Sequence, residues 1–457
     1  MDYQDCTDLL IRLHARKPTG QRPRPGGNVP PLLSALGHPE RGLRGMLVVG
    51  TNGKGSTCAF AVSAIASTGV RVGSLPSPHL QEPRERIRVD GVPVSRAEYV
   101  AAFEEVCGAI ERYDLPVSAS GVYATTAAAH FRRAGVELAV AEANIGGRGT
   151  ATRFLGLDVK VVTGIALDHT DRLGDSLTRI AQAKVGVVAD GDHVVLGRLP
   201  EEAAAAAAQV LAERGGLTVW RMDREIRYTA RTVTAEPGGG GRPGSGGTAV
   251  LDVTTPRAVH RGLPCPLPGA HQHHNLALAV AAVDALAGQG TVPDLVDDPL
   301  RARLAATRWP GRLELLPRAR LAEWTGRVLL DGATNPQGVA TVAPEILRVA
   351  GAGPAGHRPP VLVLAAVRGK DVAGMLAPLP ADWPLVLTRT DAADAVGPEA
   401  LRDSLAPHGR TVSATAPDAA SALRRAAELA GGGGLVVVLG SHRLVGQART
   451  ALGLAPA

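Results

Sequence analysis

A chain of 457 residues with 45% apolar and 20% charged side chains is long enough for two or three domains and too apolar to be disordered. Its 49 basic and 43 acidic residues leave a net charge of +6, which suits anionic ligands such as nucleotides. No basic tract is interleaved with aromatics as a nucleic-acid groove requires, so no nucleic acid is expected as a partner. The four cysteines, Cys6, Cys58, Cys107 and Cys265, lack C-x-x-C spacing, and no leader or run of about 18 apolar residues is present, so a reducing, cytoplasmic, soluble chain without a membrane partner is expected.

In chain order, the first strong element is "MLVVGTNGKGST" (46–57). "MLVV" reads as a buried strand and "KGSTCAFAVSAIASTG" as a helix ended by Gly69. The Gly-rich turn between them aims backbone N–H groups and a helix N-terminus at phosphate. The usual pattern places Ser or Thr after the Lys to hold magnesium, but Lys54 is followed by Gly55, and the hydroxyls arrive at Ser56 and Thr57.

"VELAVAEA" (136–143) and "VKVVTGI" (159–165) read as further strands closing in polar loops. The alternation with Ala-rich helices predicts an α/β fold with a mainly parallel sheet, whose ligands sit at the carboxyl ends of the strands. Two alternating strands are expected within 226–254, around the Gly-rich "EPGGGGRPGSGG", whose composition reads as a flexible insertion or hairpin tip. A helix is expected over 271–288, "HQHHNLALAVAAVDALAG", with His273 and His274 exposed. No carboxylate lies near this histidine cluster in sequence, so a metal is not expected there. After "ATRWPGRLELL" the alternation restarts, with strands in "RVLLDGA", "PVLVLAAV", "WPLVLTR" and "GLVVVLGS". The expected division is a nucleotide-binding domain over 1–306 and a Rossmann-like α/β domain over 307–457.

Seven stretches carry chemistry in a fixed order: the opening loop, "SPHLQEPRERIRVDG", "EANIGGRGTATRF", "ALDHTDRLGDSLTRIAQAKVGV", "PGAHQHHN", "PGRLE" with "LLDGATNPQG", and "GSHRLVG". The set resembles the dihydrofolate synthase/folylpolyglutamate synthase family of the Mur-ligase superfamily, from about residue 20 to the C-terminus. The resemblance implies an ATP-dependent ligase, usually monomeric, that joins a small-molecule carboxylic acid to an amino acid through an acyl phosphate. ATP and Mg2+ are then expected between the two domains. By the same resemblance, Gly50, Thr51, Asn52, Gly53, Lys54, Gly55, Ser56 and Thr57 cradle the phosphates, with Lys54 neutralising charge on the moving phosphoryl group. Ser77, Glu142 and His169 become the magnesium ligands, and Lys184 aligns with a lysine that is commonly carbamylated and then binds a second magnesium. His271, Gln272 and Asn275 match the adenine motif; an amide offers adenine both a donor and an acceptor. Arg312 is assigned to the γ-phosphate, Asp331 to the ribose–phosphate region, and Pro76, His79, Thr150, Arg153, Lys370 and Ser441 to the substrates.

The departures from the family pattern lie on the acid side. Thr150 stands where an Asp contacts the pterin, Arg153 replaces a final Asn, and Thr334 replaces a histidine near the phosphates. Pro76 and "ADG" (189–191) depart as well. A folate enzyme with altered contacts, a relative recruited to another carboxylic acid, and a catalytically silent nucleotide-binding derivative all stay open on these residues.

Overall fold

The computed structural model describes residues 1–15, 28–233, 247–352 and 358–457. Most of the Gly-rich stretch, residues 236–246, lies outside them.

The first sheet contains β1 (Arg44–Val49), β2 (Val72–Leu75), β3 (Arg88–Val89), β4 (Val92–Pro93), β5 (Leu138–Glu142), β6 (Val159–Val162), β7 (His193–Leu196) and β8 (Thr218–Arg221), in the order β4-β3-β2-β5-β1-β6-β7-β8. From β2 to β8 neighbouring strands run parallel, whereas β3 and β4 add an antiparallel edge. Along β1 alternate residues serve two cores, as the strand's period of two requires. Leu47 and Val49 pack with Tyr99 and Phe103 of the helix Arg96–Arg112. Met46 and Val48 pack with Phe60 of the helix Lys54–Ala66 and with the apolar helix His271–Gly288. That 18-residue helix is buried on nearly all sides, so its sequence is apolar throughout rather than amphipathic.

A small antiparallel sheet follows: β9 (Arg227–Val233), β10 (Thr248–Thr254) and β11 (Val259–Cys265), with β10 in the middle. Leu251 and Val253 of β10 are buried in the second of the two cores. Its third strand was not expected from the sequence.

The second large sheet holds β12 (Glu314–Leu321), β13 (Trp324–Leu330), β14 (Val361–Leu364), β15 (Leu385–Leu387), β16 (Ala414–Thr415) and β17 (Leu435–Leu439), in the order β12-β13-β17-β14-β15-β16. All pairs are parallel except β12 with β13. β12 carries Pro317, and its register shifts between Leu316 and Ala319, which confines it to an edge.

The two sheets are tied together beyond the connecting segment. Gln81 donates to the Leu454 carbonyl at 3.0 Å and accepts from Arg449 at 2.9 Å. Arg88 donates to the Ala457 carbonyl at 2.6 Å. Gly446 lies so close to Leu80 that a Cβ there would sit 1.8 Å from its carbonyl oxygen. Among the described residues, no helix is long and apolar enough to cross a membrane.

Candidate active site

The carboxyl ends of β1, β2, β5 and β6 face the ends of β13, β14 and β17 across a cleft of about 1630 Å³. Its floor is the turn after β1. Gly50 and Gly53 both adopt positive φ, at 144° and 86°, which favours glycine. A Cβ would lie 2.1 Å from the Thr163 hydroxyl at Gly50, and 2.5 Å from Asn275 Oδ1 at Gly53. Gly55 answers the unusual spelling of the loop: a Cβ there would lie 2.9 Å from Trp309 Nε1. The slot that usually carries a magnesium-binding hydroxyl is closed by an indole from the interdomain segment.

Lys54 donates to the Thr51 carbonyl at 3.0 Å and stands 3.8 Å from Glu142 Oε1. Glu142, the last residue of β5, is 5% exposed and accepts the Ser77 amide at 3.1 Å. Burial raises its pKa, and Lys54 only partly offsets that effect. A buried carboxylate with so incomplete a counter-charge fits a divalent cation, and Ser77 and His169 also line the cleft. His169 sits at φ 49°, and burial lowers its pKa against the pull of Asp168.

Asp168, which the sequence reading did not single out, joins the two domains. Its carboxylate forms an ion pair with Lys370 and accepts from Asn335 at 3.2 Å. Burial alone would raise the Asp168 pKa, but Lys370 and His169 hold it below the usual range. Asn335 also donates to Asn52 at 3.0 Å, and Asn52 donates to Gln337 at 3.0 Å. Adjacency to His169 was readable; the pairing of Asp168 with Lys370 and Asn335 was not.

From the second domain, Arg312 enters the cleft between two stitched loops. Gly332 donates to the Gly311 carbonyl at 3.0 Å, and the buried Asp331 carboxylate accepts the amides of Leu313 at 2.9 Å and Ala333 at 2.8 Å. Asp331 is therefore engaged in holding backbone; burial raises its pKa and Arg312 opposes the rise. Ser441 caps the last helix by accepting from the Arg443 amide at 3.2 Å.

At the start of the helix His271–Gly288, Asn275 donates to Gln272 at 3.0 Å, and Gln272 contacts His271 at 3.1 Å. His271 Nδ1 is buried without a hydrogen-bond partner, and burial lowers the ring's pKa to about 4. His273 and His274 are half-buried rather than exposed. His274 reaches the Thr163 carbonyl at 3.3 Å, because the helix start packs against the end of β6.

Several assigned residues are not brought to the cleft wall. Thr51 does reach the wall, although its hydroxyl is used inward, donating to the Ala166 carbonyl and accepting from the Ala166 amide. Thr57 is fully buried, Pro76 is buried behind the Ser77 loop, and the Gly50 side of the turn faces Thr163. Lys184 lies beneath the phosphate loop, donating to the Gly50 carbonyl at 2.8 Å; burial first, and Lys54 second, bring its pKa down to about 7. Arg153 points to solvent, donating to the Arg148 carbonyl at 2.7 Å and covering the Phe154 ring at 5.0 Å. Thr150 does line the cleft, its hydroxyl 2.9 Å from that of Thr152. His79 lines it too, accepting from Arg86 at 3.0 Å, and Arg86 covers the Tyr123 ring at 4.2 Å.

A phosphate loop, a buried acid and an arginine crossing from a second Rossmann-like domain define the cleft of a two-domain, nucleotide-dependent ligase. Residues 311–442 match the family described as Mur ligase, glutamate ligase domain. The dihydrofolate synthase/folylpolyglutamate synthase of Mycobacterium tuberculosis is 33% identical over 387 residues, covering 81% of this chain and 75% of its own. A Mycobacterium tuberculosis folylpolyglutamate synthase solved with ADP superposes with a TM-score of 0.84 at 30% identity over 100% of both chains. A bifunctional folylpolyglutamate synthase/dihydrofolate synthase solved with Mn, AMPPNP and L-glutamate gives 0.80 at 25% identity, covering 99% of this chain and 98% of its own. The chain belongs to the dihydrofolate synthase/folylpolyglutamate synthase family, and is an ATP-dependent, ADP-forming ligase.

Proposed function

We propose that this enzyme joins glutamate to a pteroate- or folate-type carboxylic acid, working as a monomer divided into domains 1–306 and 307–457. The carrying observation is the pairing of Lys54 and Glu142 on one wall with Arg312 on the other. The loop from Gly50 to Thr57 supplies amides to the β- and γ-phosphates, Lys54 and Arg312 balance charge on the transferring phosphoryl group, and Asn275 with Gln272 reads adenine. Glu142, with Ser77 and His169, would hold magnesium, which supplies charge neutralisation at the phosphates. Burial keeps a fraction of the Lys184 amine neutral at pH 7, the form carbamylation needs. An acyl phosphate is readily hydrolysed, so the Lys370–Asp168 pair and the Asn52–Asn335 bonds serve to keep the cleft shut until the amine arrives. Thr150, Lys370 and Ser441 fall on the substrate side.

The test is phosphate release with ATP, magnesium, dihydropteroate and glutamate. Phosphate that appears only when both acid and amine are present supports the reading. Turnover confined to another carboxylic acid replaces the substrate. No turnover with any acid, despite tight ATP binding, removes the ligase assignment.

A further inference from the structure

Arg312 crosses into the cleft without a carboxylate partner: among the described residues, none lies within 4.0 Å of its guanidinium. What meets it is His442, the residue after Ser441. Arg312 Nη1 lies 3.2 Å from His442 Nδ1 and Nη2 lies 3.4 Å from Nε2, so the guanidinium fork spans the imidazole. Nη1 also donates to the Gly311 carbonyl at 3.1 Å. The ring lines the cleft, and burial together with Arg312 keeps it in its neutral form. A neutral imidazole offers one acceptor nitrogen and no negative charge. Gly332 completes the fit: a Cβ there would stand 2.4 Å from His442 Nδ1 and 2.6 Å from Arg312 Nη1.

A carboxylate in this place would orient the guanidinium and cancel its charge. An apolar residue would leave the charge and lose the orientation. We infer that His442 is a positioning residue that fixes the Arg312 guanidinium toward the cleft while leaving its full charge for an anionic group of the nucleotide. The inference rests on the reading that Arg312 meets the γ-phosphate.

The test compares binding of ADP and of a non-hydrolysable ATP analogue by the full chain, using R312A, H442A, H442Q, H442E and the double variant R312A/H442A. The expected loss for H442A is about tenfold in analogue affinity, with ADP affinity unchanged, as for a hydrogen bond to a charged group. H442Q, a neutral acceptor, restores most of that affinity. H442E keeps a partner for Arg312, yet binds the analogue more weakly than H442A because it neutralises the cation. The double variant is no worse than R312A, because the histidine acts through the arginine. Wild-type analogue affinity in H442A alongside a loss in R312A overturns the role of His442 alone. Additive losses, or H442E matching H442Q, overturn it as well. Unchanged affinity in R312A overturns the γ-phosphate reading itself. Thermal midpoints measured alongside identify any variant that fails to fold, and H442Q then carries the comparison with R312A.

Discussion

The loop after β1 and the loop after β5 sit side by side in one sheet and are held against different neighbours. The first, Gly50 to Thr57, is fixed by backbone and by close packing: each of Gly50, Gly53 and Gly55 faces an atom that a Cβ would strike. The second, "GGRGTATR" (146–153), is docked by backbone on the helix Leu177–Val185: Gly147 and Arg148 both donate to the Ala183 carbonyl at 3.0 Å, and a Cβ at Gly147 would lie 2.0 Å from the Lys184 carbonyl oxygen. Thr150 is held by Thr152, and Arg153 turns out to the Arg148 carbonyl. A loop set by glycine geometry can hold one ligand chemistry and little else. In the second loop only the Thr150–Arg153 end is set by side-chain bonds.

Lys54→Ala is the strongest way to break that comparison. It removes the only side-chain cation of the first loop, and phosphate release followed by a coupled assay is expected to fall about 10³-fold, the scale of losing one preorganised electrostatic contact. Gly55→Ser restores the usual spelling of a phosphate loop and should nevertheless harm the protein. Its Cβ meets Trp309 Nε1 at 2.9 Å, and overpacking of this kind costs about 2 kcal/mol, read as a lower midpoint in urea. Ordinary stability with improved ATP binding would show that the indole does not close the slot.

Thr150→Asp sharpens the contrast from the other side. If the Thr150 slot faces an amino-pterin edge, a carboxylate there raises kcat/KM for dihydropteroate by about tenfold, while an unchanged value counts against that placement. The smallest effect concerns Lys184, whose amine titrates at about 7 in the folded chain against an ordinary 10.5. Between those values the unfolded chain binds the additional proton, so this residue makes stability rise with pH. Lys184→Met should flatten the rise in melting temperature between pH 7 and pH 9; an identical slope would mean that the amine is not buried in neutral form.

The strands β1, β5 and β6, the helix at 271–288 and the second α/β domain were legible because long apolar runs and glycine turns leave a periodic trace. The strands β3, β4 and β16 were not, being two residues each and held by their neighbours rather than by pattern. Lys54 and Glu142 were legible as charged groups at loop and strand ends, and Arg312 through the family resemblance. Asp168, Asn335 and His442 were not, since their partners lie 202, 283 and 130 residues away and only the closed cleft pairs them. The direction of Arg153 was equally hidden, because a backbone carbonyl five residues back outcompetes the cleft for its guanidinium.

The contacts of Leu80, Gln81 and Arg88 with residues 446–457 have a mechanical meaning. Arg88 also lies over the Trp309 ring at 5.1 Å, so these contacts and the covalent connection tie the two lobes along one seam. The lobes are thus fastened along that seam, and the Lys370–Asp168 pair fastens them a second time across the cleft.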